Sequence, residues 1–117
     1  MLYTTLTIGS KDYKLRLGAA NIMELEKQLG GNNPMDVLMA TQNGQLPPLT
    51  ATLRILHGSM QKFQHGVSFN DVVALYDDYV AEGNSYTDLL PVLIDVFKVS
   101  GFFKVAPEAE SSETAKP

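Results

Sequence analysis

Residues 13–38, YKLRLGAANIMELEKQLGGNNPMDVL, decide the fold because their apolar periodicity changes once along the stretch. Residues 13–17 alternate apolar and basic side chains, which is typical of a β-strand with one wet face. The apolar positions that follow fall at helical spacing, at Ile22, Leu25 and Leu29. Gly30 and Gly31 then end the helix. The stretch therefore predicts a strand that runs directly into a helix.

The segment before this strand, residues 2–8 (LYTTLTI), also alternates with period two. Its predicted inner side chains are Leu2, Leu6 and Ile8. Residues 9–12 (GSKD) have the composition of a turn, so the two strands should form a β-hairpin. A lone hairpin is only marginally stable in water. We therefore expect its apolar face to pack on the helices that follow.

Four further helices are expected downstream. Asn33 and Pro34 begin a short one, since a cap residue precedes proline at the first helical position. Residues 49–64 have apolar side chains at 4-3-4-3 spacing, at Leu49, Leu53, Leu56, Met60 and Phe63. Two capping-box patterns open the last two helices, at Ser68 with Asp71 and at Ser85 with Asp88. The predicted fold class is α+β, with an N-terminal β-hairpin followed by a mainly α-helical domain of about five helices.

The last helix, about residues 86–100, is apolar on nearly every side. Such a helix is either central in the fold or covered by a partner. Pro91 leaves two options, a helix that begins near Leu90 or one that is kinked there. We expect one copy to be too small to bury every apolar position of residues 89–103, which predicts a homo-oligomer and a candidate surface for partners or self-association at Leu89, Leu90, Leu93, Val96, Phe97, Phe102 and Phe103. A secondary candidate surface is the uncharged outer strand face at Tyr3, Thr5 and Thr7.

The chain divides into a domain at residues 1–105 and a tail at residues 106–117. The tail, APEAESSETAKP, is acidic and lacks large apolar side chains, so we expect it to be disordered. The predicted buried side chains are Leu15, Leu17, Leu25, Leu29, Leu53, Leu56, Phe63, Val72, Val73, Tyr76, Leu93 and Phe97.

Composition argues against several classes of function. The chain has no cysteine, so thiol catalysis and zinc–thiolate sites are excluded. A net charge of −4 with scattered basic residues argues against nucleic-acid binding, and no apolar run is long enough to predict a membrane span. His57 and His65 lack the spacing of a helical metal pair, and Asp77 and Asp78 are adjacent and cannot converge on one helix. No catalytic, metal or cofactor site is predicted.

The order of these elements, and the stretch YKLRL…IMELEKQLGGNNPMDVL in particular, resembles the tail assembly chaperones of long-tailed bacteriophages and Gram-positive prophages. The resemblance implies a viral protein of the host bacterial cytoplasm, absent from the finished virion. It would bind the tape-measure protein and keep it soluble during tail tube assembly. In that family a translational frameshift often yields a longer form thought to recruit tail tube subunits.

Two other functions are alternatives to a chaperone. The first is a small structural head–tail connector or tail completion protein that stays in the virion. The second, an enzyme or a nucleic-acid-binding regulator, requires convergent polar groups or a basic face, and the sequence offers neither.

Overall fold

The computed structural model describes residues 2–40 and 44–102, and in this part of the chain an antiparallel hairpin is followed by five helices. The strands are β1 (Thr4–Ile8) and β2 (Lys11–Leu15), and the helices are α1 (Ala19–Gln28), α2 (Pro34–Met39), α3 (Leu49–Met60), α4 (Phe69–Ala81) and α5 (Tyr86–Val99). The predicted α+β class is confirmed. The predicted tail at 106–117 lies outside the described residues.

The hairpin has one buried and one exposed face, as its alternation predicts. Leu6 lies opposite Tyr13 and Thr5 opposite Lys14 across the two strands. The buried face consists of Leu6, Ile8, Tyr13 and Leu15. Leu2, predicted on this face, is 69% exposed. The prediction was wrong because β1 begins only at Thr4, so Leu2 precedes the strand and its pleat.

Helix α5 lies in the middle of the core. It packs on β1, α2 and α3, and its buried side chains are Leu89, Leu90, Leu93, Val96 and Phe97. One copy thus buries these five side chains, because hairpin and helices surround α5 together, whereas Phe102, beyond the helix, is 38% exposed. The helix begins at Tyr86, as its capping box predicts, which excludes the alternative of a start near Leu90. Pro91 lies inside the helix, on its exposed side.

Both predicted capping boxes are present and fix the starts of α4 and α5. The Ser68 hydroxyl accepts from the Asp71 backbone N–H (3.1 Å), and the Asp71 carboxylate accepts from the Ser68 N–H (2.9 Å). Hydrogen bonding with Ser68 holds the pKa of Asp71 below its ordinary value. The backbone N–H of Ser68 has the larger effect and its hydroxyl the smaller one. Ser85 and Asp88 repeat the arrangement at α5.

Helix α3 ends at Met60, four residues before its predicted end at 64. At this end the Gln61 side-chain amide donates to the His57 carbonyl (3.1 Å), while the Gln61 backbone N–H turns to the Gly58 carbonyl (3.4 Å). Such bonds compete with helix continuation. Phe63, beyond this end, is only partly buried.

Three more predicted core residues are less buried than expected. Leu29 and Tyr76 are partly buried, and Val73 is 38% exposed. Val73 is exposed because α4 is an outer helix that packs mainly on α3, and its buried stripe is limited to Val72 and Tyr79. The other eight predicted core residues are buried.

Candidate binding groove

An open groove lies where the end of α1, helix α2 and the start of α3 meet. Its volume is about 480 Å³. The apolar lining consists of Leu29, Val37, Pro48 and Ala51, and the polar lining of Gln28, Asn32, Thr50 and Arg54. This volume falls within the range of pockets that bind small molecules, about 300–1,000 Å³. The groove can therefore hold several side chains of a partner segment that lies across it.

The GGNNP stretch between α1 and α2 shapes one side of the groove. Gly30 and Gly31 have φ angles of 69° and 89°, which end α1. The Asn32 side chain donates to the Leu29 carbonyl (2.8 Å), and the Asn33 side chain accepts from the Met35 N–H (2.8 Å) to begin α2. These bonds reverse the chain within a few residues, so that α1 and α2 both contribute to the lining.

Arg54 places a positive charge at the groove. Its guanidinium stacks on the Phe69 ring, 3.9 Å from the ring centroid, which restrains the side chain between α3 and α4. Among residues 2–40 and 44–102, no carboxylate forms a salt bridge with it. Arg54 is therefore placed to attract an acidic side chain of a ligand.

Tyr86 holds the connector, which is the segment with Pro47 and Pro48 just before α3 and forms the opposite side of the groove. Its hydroxyl donates to the Pro47 carbonyl and also hydrogen-bonds the Thr52 hydroxyl (2.8 Å), which is fully buried. Burial raises the pKa of Tyr86 above its ordinary value, so the phenol stays protonated and able to donate at neutral pH. This pair of bonds fixes Pro47, and with it Pro48, against α3.

We expect Tyr86→Phe to lower the free energy of unfolding by about 1–3 kcal/mol, because the Pro47 carbonyl loses its donor and the buried Thr52 hydroxyl loses its acceptor. Chemical denaturation measures this loss. Tyr3→Phe is the matched control, since Tyr3 is exposed and its hydroxyl has no hydrogen bond within the described residues. Equal stability of the two variants would show that the Tyr86 hydroxyl does not hold the connector.

Most of the surface predicted on the last helix is buried in the core and is not accessible to a partner. Leu89, Leu90, Leu93, Val96 and Phe97 are each at most 4% exposed. Phe102 is 38% exposed and packs edge-to-face on the Phe97 ring, with 5.1 Å between centroids. Phe103 lies outside the described residues. A nearly all-apolar helix is explained by its central place in the core.

The predicted outer strand face is exposed. Tyr3, Thr5 and Thr7 all face solvent, and the Thr7 hydroxyl donates to the Asp12 carboxylate (2.6 Å). Tyr3 packs edge-to-face on Phe63 (5.7 Å between centroids), and the Lys14 ammonium lies 5.0 Å from the Tyr3 ring centroid. The contact with Phe63 was not predicted, because it joins segments sixty residues apart.

The two histidines and the two adjacent aspartates either form a structural hydrogen bond or lie exposed at the surface. His57 hydrogen-bonds the Val67 carbonyl through Nε2 (2.9 Å), and His65, Asp77 and Asp78 are exposed. In the described part of the chain, no cluster of three or more histidine or acidic side chains could hold a metal ion. No helix in these ranges is long and apolar enough to cross a membrane.

The groove was not predicted from the sequence because its lining comes from three helices and the segment before α3.

Comparison with known proteins identifies the family of the chain. No curated protein and no solved structure matches the chain. A family model, described as a family of unknown function (DUF6096), matches residues 2–114. The chain therefore belongs to the DUF6096 family.

Proposed function

We propose that this protein is a phage tail assembly chaperone that binds the tape-measure protein and keeps it soluble while the tail tube assembles. The observation that carries the proposal is the origin of the groove. Four of its eight lining residues, Gln28, Leu29, Asn32 and Val37, belong to the stretch that resembles these chaperones. The resemblance and one side of the groove thus coincide in one part of the chain.

The occupant we propose is an amphipathic helical segment of the tape-measure protein. Helix-in-groove recognition places apolar side chains at helical spacing into an apolar cleft. Leu29, Val37 and Ala51 would receive these side chains, and Arg54 would pair with an acidic residue beside them. A groove that is open to solvent suits reversible holding, because the client must be released as the tube subunits polymerise around it.

We expect Ala51→Glu to weaken client binding about tenfold or more, because the new carboxylate would occupy the apolar part of the groove and pair with Arg54, three residues along α3, in place of an acidic side chain of the client. The substitution lies in the first turn of α3, where an acidic side chain favours the helix. The measurement is the soluble fraction of a co-expressed tape-measure protein, for which a long helical protein encoded next to this chain would be the one to test. Titration of a purified client fragment gives the affinity.

Ala20→Glu is the matched control, since Ala20 is exposed in the first turn of α1 and does not line the groove. It should protect the client as the wild type does. If the wild-type chain leaves the client insoluble at every ratio, the chaperone function is wrong. If both variants protect equally, the client binds elsewhere. Mass spectrometry of purified virions separates the connector alternative, because a chaperone should be absent from them.

A further inference from the structure

The two edges of the hairpin differ in how their backbone groups are paired. On the β2 edge, the Gln64 side chain accepts from the Lys14 N–H (2.9 Å) and donates to the Lys14 carbonyl (2.8 Å). The Arg16 N–H donates to the Ser59 carbonyl (2.9 Å). Ser59 in α3 and Gln64 just beyond the helix therefore occupy the β2 edge and prevent another strand from joining there.

The β1 edge has no such cover within residues 2–40 and 44–102. Because both backbone groups of Lys14 bond outward to Gln64, the Thr5–Lys14 pair is not a hydrogen-bonded one, and the alternate pairs on either side, including Leu6 with Tyr13, are. The N–H and carbonyl groups of Thr5 and Thr7 therefore point away from β2. No group in these ranges bonds to them.

We infer that β1 is a self-association edge, at which a second copy of this chain pairs antiparallel to form a four-stranded sheet. The unpaired groups are backbone donors and acceptors at strand spacing, so the occupant must be another strand. A twofold axis at Thr5 makes the edge complementary to itself. Each Thr5 N–H donates to the carbonyl of the opposite Thr5, and Thr7 lies opposite Tyr3 of the other copy.

The composition of β1 favours this occupant. Its sequence, TTLTI, has three threonines and an isoleucine, which favour strands, and contains no charge and no proline that would guard an edge. The two paired strands would therefore bring no like charges together, although each copy has a net charge of −4. This basis for self-association is independent of the buried helix α5 and of the groove.

The test compares the full-length wild type with Thr5→Pro by light scattering and sedimentation over a concentration series. Proline removes the outward N–H and disrupts no β1–β2 bond, since the Thr5 pair is not a hydrogen-bonded one. We expect a dimer for the wild type and a monomer for Thr5→Pro. Thr5→Val keeps the N–H and should remain a dimer. A wild type that stays monomeric at high concentration overturns the inference.

A second variant covers the case in which Thr5→Pro does not fold. Thr5→Lys keeps the backbone and brings two ammonium groups together across the axis, so its dissociation constant should rise about tenfold at low salt and recover at high salt. Amide exchange at Thr5 and Thr7 should be slow in the dimer and fast in this variant. Slow amide exchange in a monomer would show that another part of the chain covers the β1 edge. If Thr5→Lys lost client protection without any change in mass, a strand of the client would be the occupant of that edge. Either result overturns the inference.

Discussion

Replacing Phe97 by alanine is expected to lower the free energy of unfolding by about 3–5 kcal/mol. Phe97 is 1% exposed and lies on α5, the helix that the hairpin, α2 and α3 surround. Truncation would leave a cavity that these elements cannot close without breaking their own contacts. A domain of this size has a total stability of about 5–15 kcal/mol, so the variant would lose a large part of it.

Chemical denaturation followed by circular dichroism measures the loss, and Phe102→Ala is the matched control. Phe102 is 38% exposed and contacts the same ring, so its removal should cost about 1 kcal/mol. A small effect at position 97 with a changed molecular mass would restore the interpretation of this helix as an interface. A large effect without a change in mass fits a core helix.

The caps and the hairpin could be predicted because their causes are local. Ser68 and Asp71 meet across one helical turn whatever surrounds them, and the strand alternation of Leu6 and Ile8 requires only an apolar layer on one side. The role of α5 could not be predicted in the same way. Its apolar circumference fits burial by its own chain as well as burial by a partner, and the choice depends on segments far away in sequence.

The groove could not be predicted because no single segment contains it. The sequence indicated where α1 stops and α2 starts, but not that Val37 and Ala51 would line the same cleft. Arg54 gave no distinguishing pattern, since its contact with Phe69 joins two helices. Likewise, Gln64 looked like an ordinary polar residue near a helix end, although it occupies the edge of β2.

Gly58 shows the same limit inside a helix. In the sequence it lies off the apolar stripe of residues 49–64 and lowers helix propensity by about 1 kcal/mol relative to alanine. In the fold, α1 crosses α3 at this position. A Cβ atom placed on Gly58 would lie 3.1 Å from Cδ1 of Leu25, which is 1% exposed and packed on all sides. The glycine permits close approach of the two helices.

We therefore expect Gly58→Leu to lower the free energy of unfolding by about 2 kcal/mol, because the strain of overpacking exceeds the gain in helix propensity. Leu25→Ala alone should cost about 2–5 kcal/mol through its cavity. In the double variant the new leucine would fill the space that Leu25 vacates. The double variant should therefore be more stable than the sum of the single losses predicts, by about 1–3 kcal/mol.

Denaturation of the four proteins in this double-mutant cycle measures the coupling between positions 25 and 58. Losses that simply add would show that the two side chains do not compete for one space, and the proposed crossing of α1 and α3 at Gly58 would be wrong. Coupling of the expected sign would also bear on the groove. Leu29 lies one turn beyond Leu25 on α1, and Arg54 one turn before Gly58 on α3. The helix spacing fixed at Gly58 therefore sets the width of the groove one turn away. For this reason Gly58→Leu should weaken client binding as well as stability, even though Gly58 does not line the groove.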